Sequence, residues 1–266
     1  MILYNESLEY KEGHILVKLI ENIKELYTGE DILNKHICIA CISGITGLLS
    51  DQDLLKSLIA QNNTFMIIVA LIIALVGGLY LFGYTIETVH YRLQAGITVL
   101  PEINTQPFTR ILGMALIMIV WIVYASIFAA LIFTVSFLLV AGIKILTLLL
   151  VLLYALFVLS ISYVFVAYAK DFKSFGLFNF TLPFKFMKEA FADSLILIVQ
   201  FVILSILLSI PLLAVYFLLA FINKNLGMGI AICIGSYISF IIQLLWYNSL
   251  AEIYEEKLQD EVEELY

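Results

Sequence analysis

The sequence predicts an all-α polytopic membrane bundle of about six transmembrane helices, and three observations lead there. Apolar residues make up 63% of the 266-residue chain and charged residues only 13%, with a mean hydropathy of +1.05. A soluble domain carries about 45–50% apolar and about 25% charged residues, so this chain cannot coat a water-facing surface of its size. Second, the apolar residues fall in runs of the length a bilayer needs, about 20 residues. Third, the charges gather at the ends and connections of those runs: of 21 acidic residues, seven precede position 32 and seven follow position 251. The composition excludes an ordinary soluble protein, a disordered chain and a nucleic-acid-binding domain.

Residues 1–31 come first. Leu8, Ile15, Leu16, Leu19, Ile20, Ile23, Leu26 and Tyr27 recur at helical spacing, and Lys18, Glu21, Asn22, Lys24 and Glu25 are assigned to the other face. The pattern predicts an amphipathic cytoplasmic helix lying on the membrane surface or on the bundle. No basic region precedes a short apolar core, so no cleavable signal peptide is expected.

The membrane domain is assigned to 32–250. The first span, 32–50, is interrupted by Asn34, Lys35 and His36. Nineteen residues reach roughly 28 Å, just enough to cross, with Lys35 snorkelling to the surface. The second, 64–86, is clean. Residues 111–169 carry one charge, Lys144, and are too long for one crossing. They are read as spans 111–138 and 146–169 with a turn near Gly142-Ile143-Lys144. The fifth, 194–222, contains Pro211, whose ring removes a backbone hydrogen bond and bends a helix. Pro211 is therefore a candidate hinge, with Ser205 and Ser209 placed to satisfy the freed backbone groups. The sixth, 228–250, follows a turn at 223–227. An acidic cytoplasmic tail, 251–266, closes the chain.

Positive charge orients the spans. With both termini inside, 11 Lys and Arg lie on the cytoplasmic side and three (Lys56, Lys144, Lys224) outside. Without the first span the division is seven to seven. The asymmetry supports six spans, both termini cytoplasmic, in the cell membrane.

A weak internal repeat runs through the domain. The even-numbered spans end in aromatic-marked exits, 83–96, 167–176 and 246–257. Both inner connections hold a Leu-Pro pair, Leu100-Pro101 and Leu182-Pro183. The chain reads as three helical hairpins, each with an elbow in the interface. Gly83-Tyr84, then Leu100-Pro101-Glu102-Ile103, then Gly113, with Ala167-Tyr168-Ala169 before Lys170-Asp171-Phe172, resembles a prokaryotic membrane-protein family known as domain-of-unknown-function family 4013. The resemblance spans roughly 66–256. It implies a six-helix bacterial or archaeal membrane protein and carries over no activity and no catalytic residue.

Ionisable groups inside a bilayer are costly and point to function, yet no Asp, Glu, Lys or Arg falls centrally in any predicted span. No catalytic triad, paired carboxylates, phosphate loop or zinc signature occurs. The chain is therefore expected not to be an enzyme and to hold no cofactor or metal. Cys38 and Cys41 with His36, and Cys233, are read as packing residues, since a metal or redox site needs further ligands. Gly44, Gly47, Gly77, Gly78, Gly83 and Gly235 offer small faces for close helix approach. Glu87 and His90, one turn apart, are read as an inward-facing ion pair. Gln200 and Gln243 are the strongest mid-span polar residues and are expected to meet across helices.

The inner connection 170–193 holds seven Phe and four Lys, a composition that suits anionic lipid headgroups. Its Lys170, Lys173, Phe175, Phe178, Lys185 and Lys188, with Arg92 from the other connection, form the candidate lipid or partner interface. The expected function is non-enzymatic contact with membrane lipids, a second copy of the chain or another protein at the cytoplasmic face. A permease subunit served by a separate ATPase is the alternative; nucleic acid is not an expected partner.

Overall fold

The computed structural model describes residues 14–61, 63–138, 144–173, 177–179, 181–259 and 262. Every regular element among them is a helix: α1 His14–Leu26, α2 Ile32–Leu49, α3 Gln52–Ala60, α4 Thr64–Ala95, α5 Gln106–Leu138, α6 Lys144–Asp171, α7 Leu182–Glu189, α8 Phe191–Ile222 and α9 Lys224–Lys257. Five of them are long and apolar enough to cross a membrane: α2, α4, α5 over Gln106–Thr134, α8 and α9. The 28-residue α6 packs among them.

Several helices outrun the predicted spans. At about 1.5 Å per residue, the 32 residues of α4 reach roughly 48 Å against a hydrocarbon core of about 30 Å. The predicted connection after the second span is therefore helical as far as Ala95. There Gly96, at φ 71°, ends the helix by donating its N–H to the Arg92 carbonyl, since only glycine enters the left-handed region without steric cost. At the other end the Asn63 side chain accepts from Met66 N–H and caps the first turn. Residues 51–63 contain α3, whose first turn carries the exposed Asp53. The turn predicted at 223–227 contracts to one residue. Asn223 accepts from the backbone of Asn225 and Leu226, and Gly227 lets α9 start against the backbone of Ala220, which a Cβ would meet at 2.6 Å. The turn predicted near Gly142-Ile143 lies outside the described residues.

The helices pack as a ring around three inner ones. α4, α6 and α9 touch one another; α2 lies on α4 and α9, α5 on α4 and α6, and α8 on α9. Each inner helix also receives the elbow that follows it or closes the ring. Residues 97–105 fold onto α4, with Leu100 2% exposed. α7 packs on α6, and α1 packs on α9. Consecutive long helices pack in pairs, α2 with α4, α5 with α6 and α8 with α9. α8 shows the most apolar surface: Phe217, Leu218, Phe221 and Ile222 are exposed, as a helix facing lipid should be.

Candidate functional site at the elbow end

The elbows meet at one end of the bundle, where the described polar side chains concentrate. α1 supplies Lys18, Asn22 and Glu25 at i, i+4 and i+7, which share one helix face. Arg92, near the end of α4, reaches Glu25 of α1 at 3.0 Å and pairs with Glu252 of α9. Asn22 donates to Glu252 at 3.1 Å, and the Thr98 backbone donates to Glu25 at 2.8 Å. Lys18 pairs with Glu256 at 2.7 Å. Burial pushes the Glu252 carboxyl above its usual range, and the Arg92 guanidinium opposes that rise. One guanidinium therefore joins α4 to the first elbow, α1, and to the last helix, and Glu25 extends the network to the second elbow at Thr98.

The polar face that sequence periodicity sets opposite the apolar one on α1 is itself partly buried. Asn22 is 1% exposed, while Ile20 and Tyr27 are about half exposed. Leu19 and Leu26 do face the core, so the helix is turned toward a partner that is polar as well as apolar. Arg92 was grouped by sequence with the interface lysines. Its side chain is only 11% exposed and is spent on the two carboxylates.

A second layer lies just beneath. Lys35 donates to the Leu100 carbonyl at 2.9 Å. His36 contacts the Leu26 carbonyl through Nε2 at 2.8 Å and Tyr237 through Nδ1 at 2.8 Å, and Tyr27 stacks on its ring at 4.5 Å. With the Tyr237 hydroxyl donating to Nδ1, Nε2–H donates to the carbonyl, an assignment made from the partners. Lys35 and His36, two of the three residues that interrupt the first apolar run, are thus satisfied at its end. Tyr84 donates to the Pro101 carbonyl at 2.8 Å. His90 Nδ1–H donates to the Ala169 carbonyl at 2.7 Å, and not to Glu87. Glu87 is 1% exposed with Oε2 unpartnered, so both residues point inward without the expected ion pair. Arg110 stacks over Phe172 at 3.7 Å.

The basic aromatic connection surrounds α7. Pro183 sits in the first turn of this helix, where its missing N–H costs nothing. Leu182, Pro183 and Phe186 are buried, while Lys185 and Lys188 lie on the exposed face. Lys188 pairs with Glu189 at 3.0 Å and Lys173 with Asp171 at 3.0 Å. Lys170 ends α6 half-buried, and Phe178 packs against the core. Phe175 lies outside the described residues. Asp193, at the start of α8, pairs with Lys257 of α9 and so fastens the third hairpin.

Gln200 and Gln243 are not joined. Gln243 donates to Thr85 of α4 at 3.1 Å, and Gln200 Oε1 is buried without a partner. Pro211 lies on an exposed part of α8, which runs unbroken from Phe191 to Ile222. Ser209 donates to the Ser205 carbonyl one turn before it. Cys233 packs on Gly44, whose added Cβ would lie 3.3 Å from it. Among the described residues no three His, Cys, Asp or Glu side chains gather as a metal site.

The residues whose roles sequence reading missed are Asn22, Glu25 and Glu252. Only the i, i+4, i+7 polar line on α1 could have signalled the first two. Compared with known proteins, the chain matches no family model, no curated protein and no solved structure.

Proposed function

We propose that this membrane protein crosses the cell membrane six times, with both termini cytoplasmic, and works without catalysing a reaction. Its action lies in contacts with anionic lipid headgroups and protein partners at the elbow end. The observation that carries this reading is the orientation of α7. The helix buries Leu182, Pro183 and Phe186 in the bundle and turns Lys185 and Lys188 outward, with Phe191 partly exposed just beyond it. An elbow with aromatic and basic groups at the level of the headgroups is suited to an anionic leaflet, where each Lys contributes about 1 kcal/mol. In this reading α6 is the sixth crossing, and the 11-to-3 distribution of Lys and Arg supports elbows on the inside.

The test is association of the purified full chain with phosphatidylglycerol, measured by native mass spectrometry. Replacing Lys170, Lys173, Lys185 and Lys188 together by Gln should weaken that association at least about tenfold. Unchanged phosphatidylglycerol association in the fourfold variant would overturn the reading.

A further inference from the structure

α2, α4 and the head of α5 leave a groove of about 410 Å³ between them, lined by Ile42, Thr46, Ile73, Gly77, Tyr80 and Phe108. That volume falls in the range of small-ligand clefts, about 300–1,000 Å³. The furrow has a closed floor where α2 meets α4, for a Cβ on Gly77 would lie 2.2 Å from Thr46 Oγ1. The Thr46 hydroxyl is already spent on the Ile42 carbonyl at 2.8 Å. Ile45 and Ile72 form the rims, each about half exposed. An apolar furrow on two membrane-length helices fits a hydrocarbon chain.

What distinguishes this groove is its mouth. Ile42 lies two turns below Lys35 on α2, and Tyr80 lies one turn below Tyr84 on α4. Lys35 and Tyr84 donate to the adjacent carbonyls of Leu100 and Pro101. The groove therefore begins about 6–10 Å beneath those carbonyls, and Lys35 stands over it. One donor of its ammonium is used on Leu100, which leaves others for an acceptor at the mouth. Two carboxylates lie close to this cation along the chain or beside its carbonyl partner. Asp31, one turn before Lys35, is exposed and its side chain does not cap α2. Glu102, two residues beyond Leu100, is exposed as well. One cation with two exposed carboxylates nearby in the chain or beside its carbonyl partner complements a zwitterion better than an anion, unlike the Lys-rich face of α7.

We infer that the groove holds one acyl chain of a zwitterionic aminophospholipid, its phosphate on Lys35 and its headgroup ammonium toward Asp31 and Glu102. This rests on the reading that the elbow end meets lipid headgroups, but it uses a different elbow and a different lipid. A primary ammonium has N–H groups to give those carboxylates, whereas a quaternary choline has none.

The test is native mass spectrometry of the full chain offered equal amounts of phosphatidylethanolamine, phosphatidylcholine and phosphatidylglycerol. Retention of one phosphatidylethanolamine above the other two is expected. Lys35→Gln should lower that retention about tenfold, the worth of a charged hydrogen bond, and Lys35→Arg should preserve it. Ile45→Trp with Ile72→Trp should displace the lipid by filling the furrow from its open side, with the helical circular dichroism unchanged. The fourfold Lys-to-Gln variant of the α7 elbow should lose phosphatidylglycerol and keep phosphatidylethanolamine, so the two readings fail separately. Equal retention of phosphatidylcholine or a preference for phosphatidylglycerol would overturn the inference. So would retention by the Trp-filled chain.

Discussion

The Tyr84 hydroxyl donates to the Pro101 carbonyl at 2.8 Å, seventeen residues along the chain, and its ring is fully buried. The bond closes the second elbow onto the helix from which it came. Tyr84→Phe keeps the ring and leaves the carbonyl without its donor in a buried layer, which costs about 1–3 kcal/mol. Thermal unfolding in detergent should show a lower midpoint for this variant, with helix content at low temperature unchanged. An unaltered midpoint would show that the elbow is held by other contacts.

Gly83, one residue earlier, makes the same elbow possible in another way. A Cβ there would meet the Pro107 carbonyl oxygen at 2.1 Å, and that obstacle is backbone, which a rotamer change cannot move. Gly83→Ala should therefore force the head of α5 away from α4 and destabilise the fold by about 1–3 kcal/mol. Gly78 lies on the same helix with open space around its would-be Cβ. Gly78→Ala should be silent or mildly stabilising, since Ala has the better helix propensity. Parallel melts of the two variants decide the matter: equal melting would refute the close approach at Gly83.

Arg92 holds Glu25 and Glu252 with 11% of its side chain exposed. Breaking a buried pair by removing one partner is far costlier than replacing the whole set, because an uncompensated charge stays behind. Arg92→Met should therefore destabilise by about 3–5 kcal/mol and release α1, seen as faster amide exchange over residues 18–26. Adding Glu25→Gln and Glu252→Gln should restore much of the protection. If the triple variant exchanges as fast as the single one, the loss comes from the missing Arg92 contacts and not from uncompensated carboxylates.

The spans were legible because a bilayer demands long apolar runs, and α2, α4, α5, α8 and α9 follow from that demand. The short exits were legible for a narrower reason. Gly83, Tyr84, Leu100, Pro101, Gly113 and Tyr168 stood out as a motif, and the fold brings them into contact at the elbows. Gly83 lies on Pro107, Tyr84 on Pro101, and Gly113 on the Tyr168 hydroxyl, which a Cβ would meet at 2.2 Å. The buried face of α1 could not be read this way. Its partners, Arg92 and Glu252, lie 67 and more residues away, and apolar periodicity cannot register a polar partner. The overshoot of α4 into the predicted connection had a similar cause. Thr85, Glu87 and Thr88 look like the end of a span, yet all three are buried against neighbouring units.

Gln243 and Gln200 separate two kinds of intramembrane amide. Gln243 donates to Thr85 at 3.1 Å and so joins α9 to α4 within the inner triad. Gln200, on the outer helix α8, has a buried oxygen that accepts nothing. Interhelical hydrogen bonds in a membrane contribute about 0.6 kcal/mol on average and rarely more than about 1.7, whereas a buried acceptor without a donor is itself a cost. Gln243→Leu should thus destabilise by about 0.5–2 kcal/mol and leave the Thr85 hydroxyl only its own helix's Leu81 carbonyl, at 3.0 Å. Gln200→Leu removes the unsatisfied oxygen and should be neutral or stabilising. Detergent or denaturant titration of both variants gives the comparison. A larger loss from Gln200→Leu than from Gln243→Leu would mean that α8 is held by a polar contact, and the inner triad by apolar packing alone.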